Sequence, residues 1–314
     1  MRTSTVLFCL FMALFMSCNS NKEKAQENEE LKNDKPVRFG DPFIMLYEDT
    51  YYAYGTNAAD GIEVYTSNDL LVWEKAKDLA LDKKNTTEEK WFWAPEVYYI
   101  NGKFYMYYSA NEHIYVATSD SPFGPFKQAM DKPMIEGEKA IDNSLFMDEG
   151  KPYLLFCRFN DGLNIWVAEL EDDLITMKKE TIHKCINVSQ KWEEVWPRVN
   201  EGSFIVKHNG LYYMTYSANS YESPFYGVGC ATATDIMGEW TKYDNNPLLQ
   251  KPGNLVGVGH SASFYDKEGT LRIVFHAHND TSKIHPRVMY ISTISFDSTD
   301  KMVISSDYIT PKTK

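Results

Sequence analysis

Three acidic residues stand at nearly the same point of a repeating unit, and this limits the fold more than any other feature. Asp41 lies at the head of GDPFIMLYEDTYYAYGT, Asp142 of AIDNSLFMDEGKPYLLF, and Glu201 of NEGSFIVKHNGLYYMTYS. Each carboxylate is followed by an apolar strand, a short turn containing Gly, Asp or Asn, and a second strand rich in aromatics. The unit recurs at roughly 50 to 60 residues, near the range of β-propeller blades. A circular repeat brings equivalent positions to one axis. Carboxylates brought together raise one another's pKa, so a fold that gathers three of them on its axis uses them.

Five such units fall at residues 39–79, 91–128, 140–180, 200–243 and 257–296. Asn101-Gly102, Asn209-Gly210 and Asp148-Glu149-Gly150 are hairpin signals. Residues 114–118, IYVAT, run almost continuously apolar, as strands buried on both faces do. TSNDLLVWEK and ATDIMGEWTK share a polar turn followed by a Trp on the outer strand, and long amphipathic helix patterns are absent. The expectation is an all-β chain, a five-bladed β-propeller with four antiparallel strands per blade and its active site on the central axis. A two-sheet sandwich does not explain acids that recur in phase.

Aromatics make up 14% of the 314 residues, with 21 Tyr, 17 Phe and 7 Trp, which suits strands and also sugar-stacking surfaces. A net charge of −12 argues against nucleic acid as a partner. The first segment is not part of the fold. Arg2 precedes an apolar run too short to span a membrane, so residues 1–17 read as a signal peptide. Residues 14–18, LFMSC, resemble the lipobox of bacterial lipoproteins, with Phe15 in place of the usual Leu. That implies cleavage before Cys18 and lipidation of its thiol. Residues 18–36 are charged and free of aromatics, a disordered tether, and residues 37–314 form the propeller. Asn19 after Cys18 points to the outer membrane of a Gram-negative cell, on its periplasmic or its surface face. The membrane is then met only through the anchor, and a monomer is expected. Cys157, Cys185 and Cys230 are odd in number and irregular in spacing, which is neither a disulfide framework nor a zinc motif. Cys157 and Cys230 read as small buried apolar residues.

The order and spacing of GDPF, WAPEV, IDNSLFMDEGKPYL, NEGSFIVKHNGLYYMTYS and GVGHSASF resemble glycoside hydrolase family 43, the five-bladed propeller glycosidases, over residues 37–298. The resemblance implies an inverting mechanism. Asp41 matches the general base that activates water, and Glu201 the general acid that protonates the leaving oxygen. Asp142 matches a third carboxylate that raises the pKa of the acid and orients it. Inversion needs acid and base on opposite sides of the sugar, roughly 6.5–9.5 Å apart, and nearby negative charge keeps the acid protonated.

The resemblance also implies that Arg287, in HPRVMYIS, binds substrate. Trp93 is read as part of the sugar-binding wall, with core packing as the other reading. His260, in GVGHSASF, occupies the blade-five position equivalent to the carboxylates. In many family members this His binds a calcium or other ion at the propeller centre. Calcium prefers oxygen ligands, and the alternative is a His bonded in the axial channel. No cofactor is required. Phe43, Asn143, Ser144 and Tyr221 are weaker pocket candidates. Glu96, in WAPEV, reads as structural or as backing for the site, and Asp148 as a hairpin residue away from the axis. His276, His278 and His285 lack a Cys or acid at zinc spacing, although one or more could line the pocket.

The implied substrate is a plant-type polysaccharide or its oligosaccharides, with α-L-arabinofuranoside ahead of β-D-xyloside and with endo-arabinanase or galactan-directed activity left open. Two further readings stand beside it. One is a non-catalytic glycan-binding lipoprotein. The other is a related enzyme that splits the glycoside with phosphate, which needs Arg158, Arg198 and Arg287 to converge.

Overall fold

The structure, a computed structural model, describes residues 35–314. The expected signal peptide, the lipidated Cys18 and almost all of the expected tether lie outside the described residues. Among the described residues, regular structure is β-strand apart from three short turns of 3-10 helix at Lys83–Asn85, Lys179–Thr181 and Lys191–Glu193.

Five antiparallel meanders each begin with an inner strand: Gly40–Tyr47, Trp93–Ile100, Ala140–Asp148, Asn200–His208 and Gly259–Tyr265. Each inner strand packs against the next, and the last returns to the first, as in an all-β propeller. Aromatic and β-branched residues fill the strands. Four hairpins leave them at Glu48-Asp49, Asn101-Gly102, Glu149-Gly150 and Asn209-Gly210, where both turn residues have positive φ, the geometry that matches strand twist. Side chains such as Phe39, Tyr54, Trp73 and Phe126 are fully buried between neighbouring sheets. Cys157 and Cys230 are buried and Cys185 partly buried, all three as free thiols.

The expected five equal blades need correction. Four sheets are plain four-stranded blades, whereas the first meander belongs to a seven-stranded sheet. Lys312–Thr313 adds in parallel to Val72–Lys75, Lys35–Pro36 pairs with Lys312–Thr313, and Leu81–Asp82 pairs with Gly61–Ser67. An uncovered outer strand would present a row of unpaired N–H and C=O groups, and the two ends of the described chain cover this one. Strands of two residues have no periodicity, so the repeat pattern carries no trace of them.

One irregularity recurs in all five inner strands and sets up everything on the axis. Register slips between Gly40 and Phe43, Trp93 and Glu96, Ile141 and Ser144, Glu201 and Phe204, and Gly259 and Ala262. The second residue of each bulge is left-handed: Asp41 at φ 49°, Ala94 at 45°, Asp142 at 57°, Gly202 at 54° and His260 at 48°. Asp and His are among the side chains that tolerate this region best, and a bulge re-aims the side chain it carries.

The freed amide of each bulge is satisfied by the preceding blade. Asp41 N–H donates to His276 Nδ1 at 3.1 Å, Ala94 N–H to Thr56 Oγ1 at 3.0 Å and Asp142 N–H to Ser109 Oγ at 3.0 Å. Gly202 N–H meets the Cys157 sulfur, and His260 N–H donates to Ser217 Oγ at 2.7 Å. The five acceptors are themselves equivalent, each pairing with the residue that precedes the bulge of its own blade. The bonds therefore run from blade to blade around a closed circle.

Candidate active site

At the mouth of the axis lies a cavity of about 250 Å³ to which every meander contributes. Asp41 and Thr56 come from the first, Trp93 from the second, Ile141 and Asp142 from the third, Glu201 and Tyr221 from the fourth, and His260, His285 and Arg287 from the fifth. All three acids singled out in the sequence thus line one pocket, but not from one phase. Asp41, Asp142 and His260 share the left-handed bulge position, whereas Glu201 sits one residue earlier. Gly202 takes the bulge position instead, and a Cβ there would stand 3.0 Å from His260 Cγ. A side chain at that position would crowd His260, and the fourth blade brings its carboxylate from the residue before.

Asp41 is clamped. Arg287 Nη1 donates to Oδ1 at 2.6 Å and Nη2 to Oδ2 at 3.0 Å, and Thr56 Oγ1 donates to Oδ2 at 2.6 Å. Burial on its own would push this carboxyl up; Arg287, with His260 and His276, overcomes that and holds it well below the usual carboxylate range. The fork geometry depends on Gly40, where a Cβ would stand 2.0 Å from Arg287 Cζ.

Glu201 is the opposite case. Burial pushes its carboxyl up, the Tyr226 hydroxyl donating to Oε1 at 2.7 Å pulls it down, and the Asp41 charge raises it again, to about 7. Asp142 is raised well above its ordinary value by burial and by the Glu201 and Asp41 charges. Ligand atoms of Asp142, Glu201 and His260 lie within 4.8 Å of one another. Two buried carboxyls at this separation titrate as a pair and do not ionise together at neutral pH.

The rest of the pocket is aromatic and basic. The Trp93 ring stacks on Trp91 with centroids 5.6 Å apart and planes at 15°. Tyr221 lies against the Arg287 guanidinium at 4.7 Å and edge-on to His285 at 5.9 Å, and its carbonyl meets His278 Nε2 at 2.7 Å. His285 lines the pocket, His276 is buried behind Asp41, and burial followed by the Arg287 charge holds the His276 imidazole well below its usual pKa.

Three pocket candidates, Phe43, Asn143 and Ser144, fall elsewhere. Phe43 and Asn143 line a small closed chamber beneath the pocket, with Glu96, Ser203 and Ser261. Phe43 is packed between Tyr98 and Phe204, and Asn143 Nδ2 reaches the Ala94 carbonyl at 3.4 Å. Beyond the bulge the strand resumes its alternation, so these side chains point below the site. Ser144 meets the Glu96 carboxyl, which burial pushes up to about 8. Asp148 bonds Lys207 and Tyr212, away from the axis. Arg158 pairs with Glu138, Arg198 with Asp161 and Arg287 with Asp41, so the convergence that a phosphate site needs is not formed.

Beside His260 the protein offers two carboxyls and an imidazole, so a calcium ion, which takes six to eight oxygens, would have to draw most of its ligands from water. A divalent cation between Asp142 and Glu201 would also keep both ionised. Sequence reasoning missed Thr56 and Tyr226, and it named His276 only among histidines that could line the pocket, not as the acceptor of the Asp41 amide. Thr56 and His276 had a signal, since Thr56, Ser109, Cys157, Ser217 and His276 each follow the bulge by a near-constant interval. Tyr226 had none.

The sequence model of "Glycosyl hydrolases family 43" matches residues 34–300. The chain belongs to glycosyl hydrolase family 43. It is therefore an inverting glycoside hydrolase. Among solved structures, an endo-1,4-beta-xylanase from Bacteroides thetaiotaomicron VPI-5482 is 44% identical with a TM-score of 0.86, over 90% of this chain and 99% of that one. A beta-D-galactofuranosidase, xynD, of Aspergillus niger is 26% identical, over 85% of this chain and 82% of its own. An extracellular exo-alpha-(1->5)-L-arabinofuranosidase of Streptomyces chartreusis is 26% identical, over 76% and 79%. Family 43 relatives thus surround this chain with several sugar specificities.

Proposed function

We propose that this family 43 enzyme removes terminal α-L-arabinofuranosyl or β-D-xylosyl units from plant-type polysaccharide or its oligosaccharides, with Asp41 as base and Glu201 as acid. The observation that carries this reading is the split within one pocket: Asp41 is clamped in its ionised form by Arg287, while Glu201 is pushed up to about 7. Two carboxyls with opposite protonation at neutral pH are what a one-step inverting displacement uses. Arg287 and Thr56 occupy three of the roughly four lone-pair sites of Asp41. The remaining one accepts a proton from water as the water oxygen bonds to the anomeric carbon. Glu201 gives its proton to the departing glycosidic oxygen as that bond breaks. Asp142 keeps the proton on Glu201 until then.

The seven-stranded sheet counts as the first blade of a closed five-bladed ring, which the circle of bulge amides supports. The chemistry uses protein groups and water, with no ion. The word "extracellular" in the relative's name supports export, and we infer anchoring through Cys18 at the outer membrane, tested by lipid labelling of the wild type and of Cys18→Ala. The 44% identical endo-1,4-beta-xylanase favours a second reading, cleavage within a xylan chain.

The test is hydrolysis of aryl α-L-arabinofuranoside, β-D-xyloside and β-D-galactoside, together with xylan and arabinan, by wild type and Glu201→Gln. Release of one terminal sugar, lost in the variant, is expected. Turnover of the polysaccharides alone, with products of mixed length, would replace the first reading by the second.

A further inference from the structure

We propose that the pocket continues into an aromatic ledge, built by Trp196 and Phe159, that binds the sugar chain on the leaving-group side. The bulges lie near the start of each inner strand, so the mouth face carries the segments that lead into the inner strands and the turns that end the second strands. Trp196 lies on the segment leading into Asn200–His208, five residues before Glu201, at most about 18 Å of chain. It is 79% exposed. Phe159, 52% exposed, begins the turn that abuts this segment: Leu163 N–H donates to the Arg198 carbonyl at 3.1 Å, Leu163 bridges to Val199, and Arg198 pairs with Asp161.

The other exposed aromatics of this face are already covered. Trp91 is sandwiched between Trp93 and Lys90, and Phe225 lies under Lys251. Among the described residues, Trp196 and Phe159 have neither an aromatic nor a cationic partner. The ledge is also held firmly. Asn219, fully buried, accepts from Val195 N–H at 3.1 Å and donates to the Trp192 and Phe225 carbonyls at 3.0 and 2.8 Å. A large apolar ring held in water on an anchored segment beside a sugar pocket is a stacking platform.

The occupant follows from the chemistry, and this step rests on Glu201 being the acid. The acid must face the leaving group, so the remainder of the substrate leaves the pocket on the side of Glu201, where its own strand rises to Trp196. A neutral glycan fits this ledge, with ring faces on the two aromatics and hydroxyls toward the Arg198–Asp161 pair.

Two measurements test this. The first compares kcat/KM on aryl glycosides with that on arabino- and xylo-oligosaccharides of two to six units. Trp196→Ala and Phe159→Ala are each expected to lower kcat/KM by about tenfold on the longer oligosaccharides. Both should cost aryl glycosides, which offer the ledge a single ring, clearly less than they cost the longer oligosaccharides, and Trp196→Phe should restore most of the loss. The second is calorimetric binding of the same oligosaccharides to Glu201→Gln with and without Trp196→Ala, which needs no turnover. If wild type cleaves nothing, the proposed activity fails on its own, and a length-dependent affinity lost with Trp196 still supports the ledge. Equal losses on short and long substrates, or undiminished binding without Trp196, would overturn it.

Discussion

Removing one hydroxyl should move the pH profile in a direction fixed by the structure. Tyr226 donates to Glu201 Oε1 at 2.7 Å. A hydrogen bond to a charged group contributes about 1.5–3 kcal/mol and one to a neutral group about 0.5–1.5. Deleting it therefore costs the ionised form of Glu201 about 1–1.5 kcal/mol more than the protonated form, which is about one pKa unit. The acid must be protonated to act, so Tyr226→Phe should carry the alkaline limb of kcat/KM, near 7 in the wild type, upward by about one unit. Asp142→Asn removes the carboxyl with which Glu201 titrates as a pair, so the last proton of the pair leaves more easily and the same limb should move downward. The assay is initial rate against pH on the best aryl glycoside, with circular dichroism to confirm the fold. An alkaline limb that stays put, or shifts of the same sign in both variants, would refute the assignment of Glu201 as the titrating acid.

Other outcomes follow from the clamp and its surroundings. Arg287→Met leaves the Asp41 charge buried and unpaired, so urea denaturation should show a loss of about 3–5 kcal/mol, with kcat falling at least about 100-fold. Gly40→Ala places a methyl where the guanidinium lies and should lower kcat/KM with little change in the circular dichroism spectrum. Ligand-free stability should fall as pH rises from about 4.5 to about 8, because Glu96, Glu201 and Asp142 have raised pKa values and the native state holds protons that the unfolded chain has released. Asp41 works in the other sense: its contribution is complete above about pH 4 and is lost only in strong acid. Urea midpoints across that range measure the slope. Chelation by EDTA should leave kcat/KM within about twofold, and a larger loss would reinstate an ion near His260.

The axis was legible because its chemistry is local. Asp and His are favoured at a left-handed bulge, so Asp41, Asp142 and His260 mark the same place in three repeats. Glu201 reads as sharing that phase because it is adjacent to the bulge position, and the register and the left-handed φ at Gly202 show the offset of one residue. The supporting contacts were not legible, since they join residues far apart in the chain. Asp41 and Arg287 are 246 positions apart, and Asp41 and His276 are 235 apart. Tyr226 lies in a loop with no repeat counterpart. Phe43 was misplaced because a bulge changes which neighbour faces the axis, and strand alternation alone cannot show that.

The circle of bulge amides has a consequence for how such a molecule can change. Asp142 is aimed by Ser109, His260 by Ser217 and Asp41 by His276, so each of these side chains owes its direction to the blade before it. A blade transplanted from a relative would bring its own acid but not the acceptor that orients it, and would hand a foreign acceptor to its successor. Recombination that respects function in this fold should therefore cut through the middle of blades and leave the seams intact.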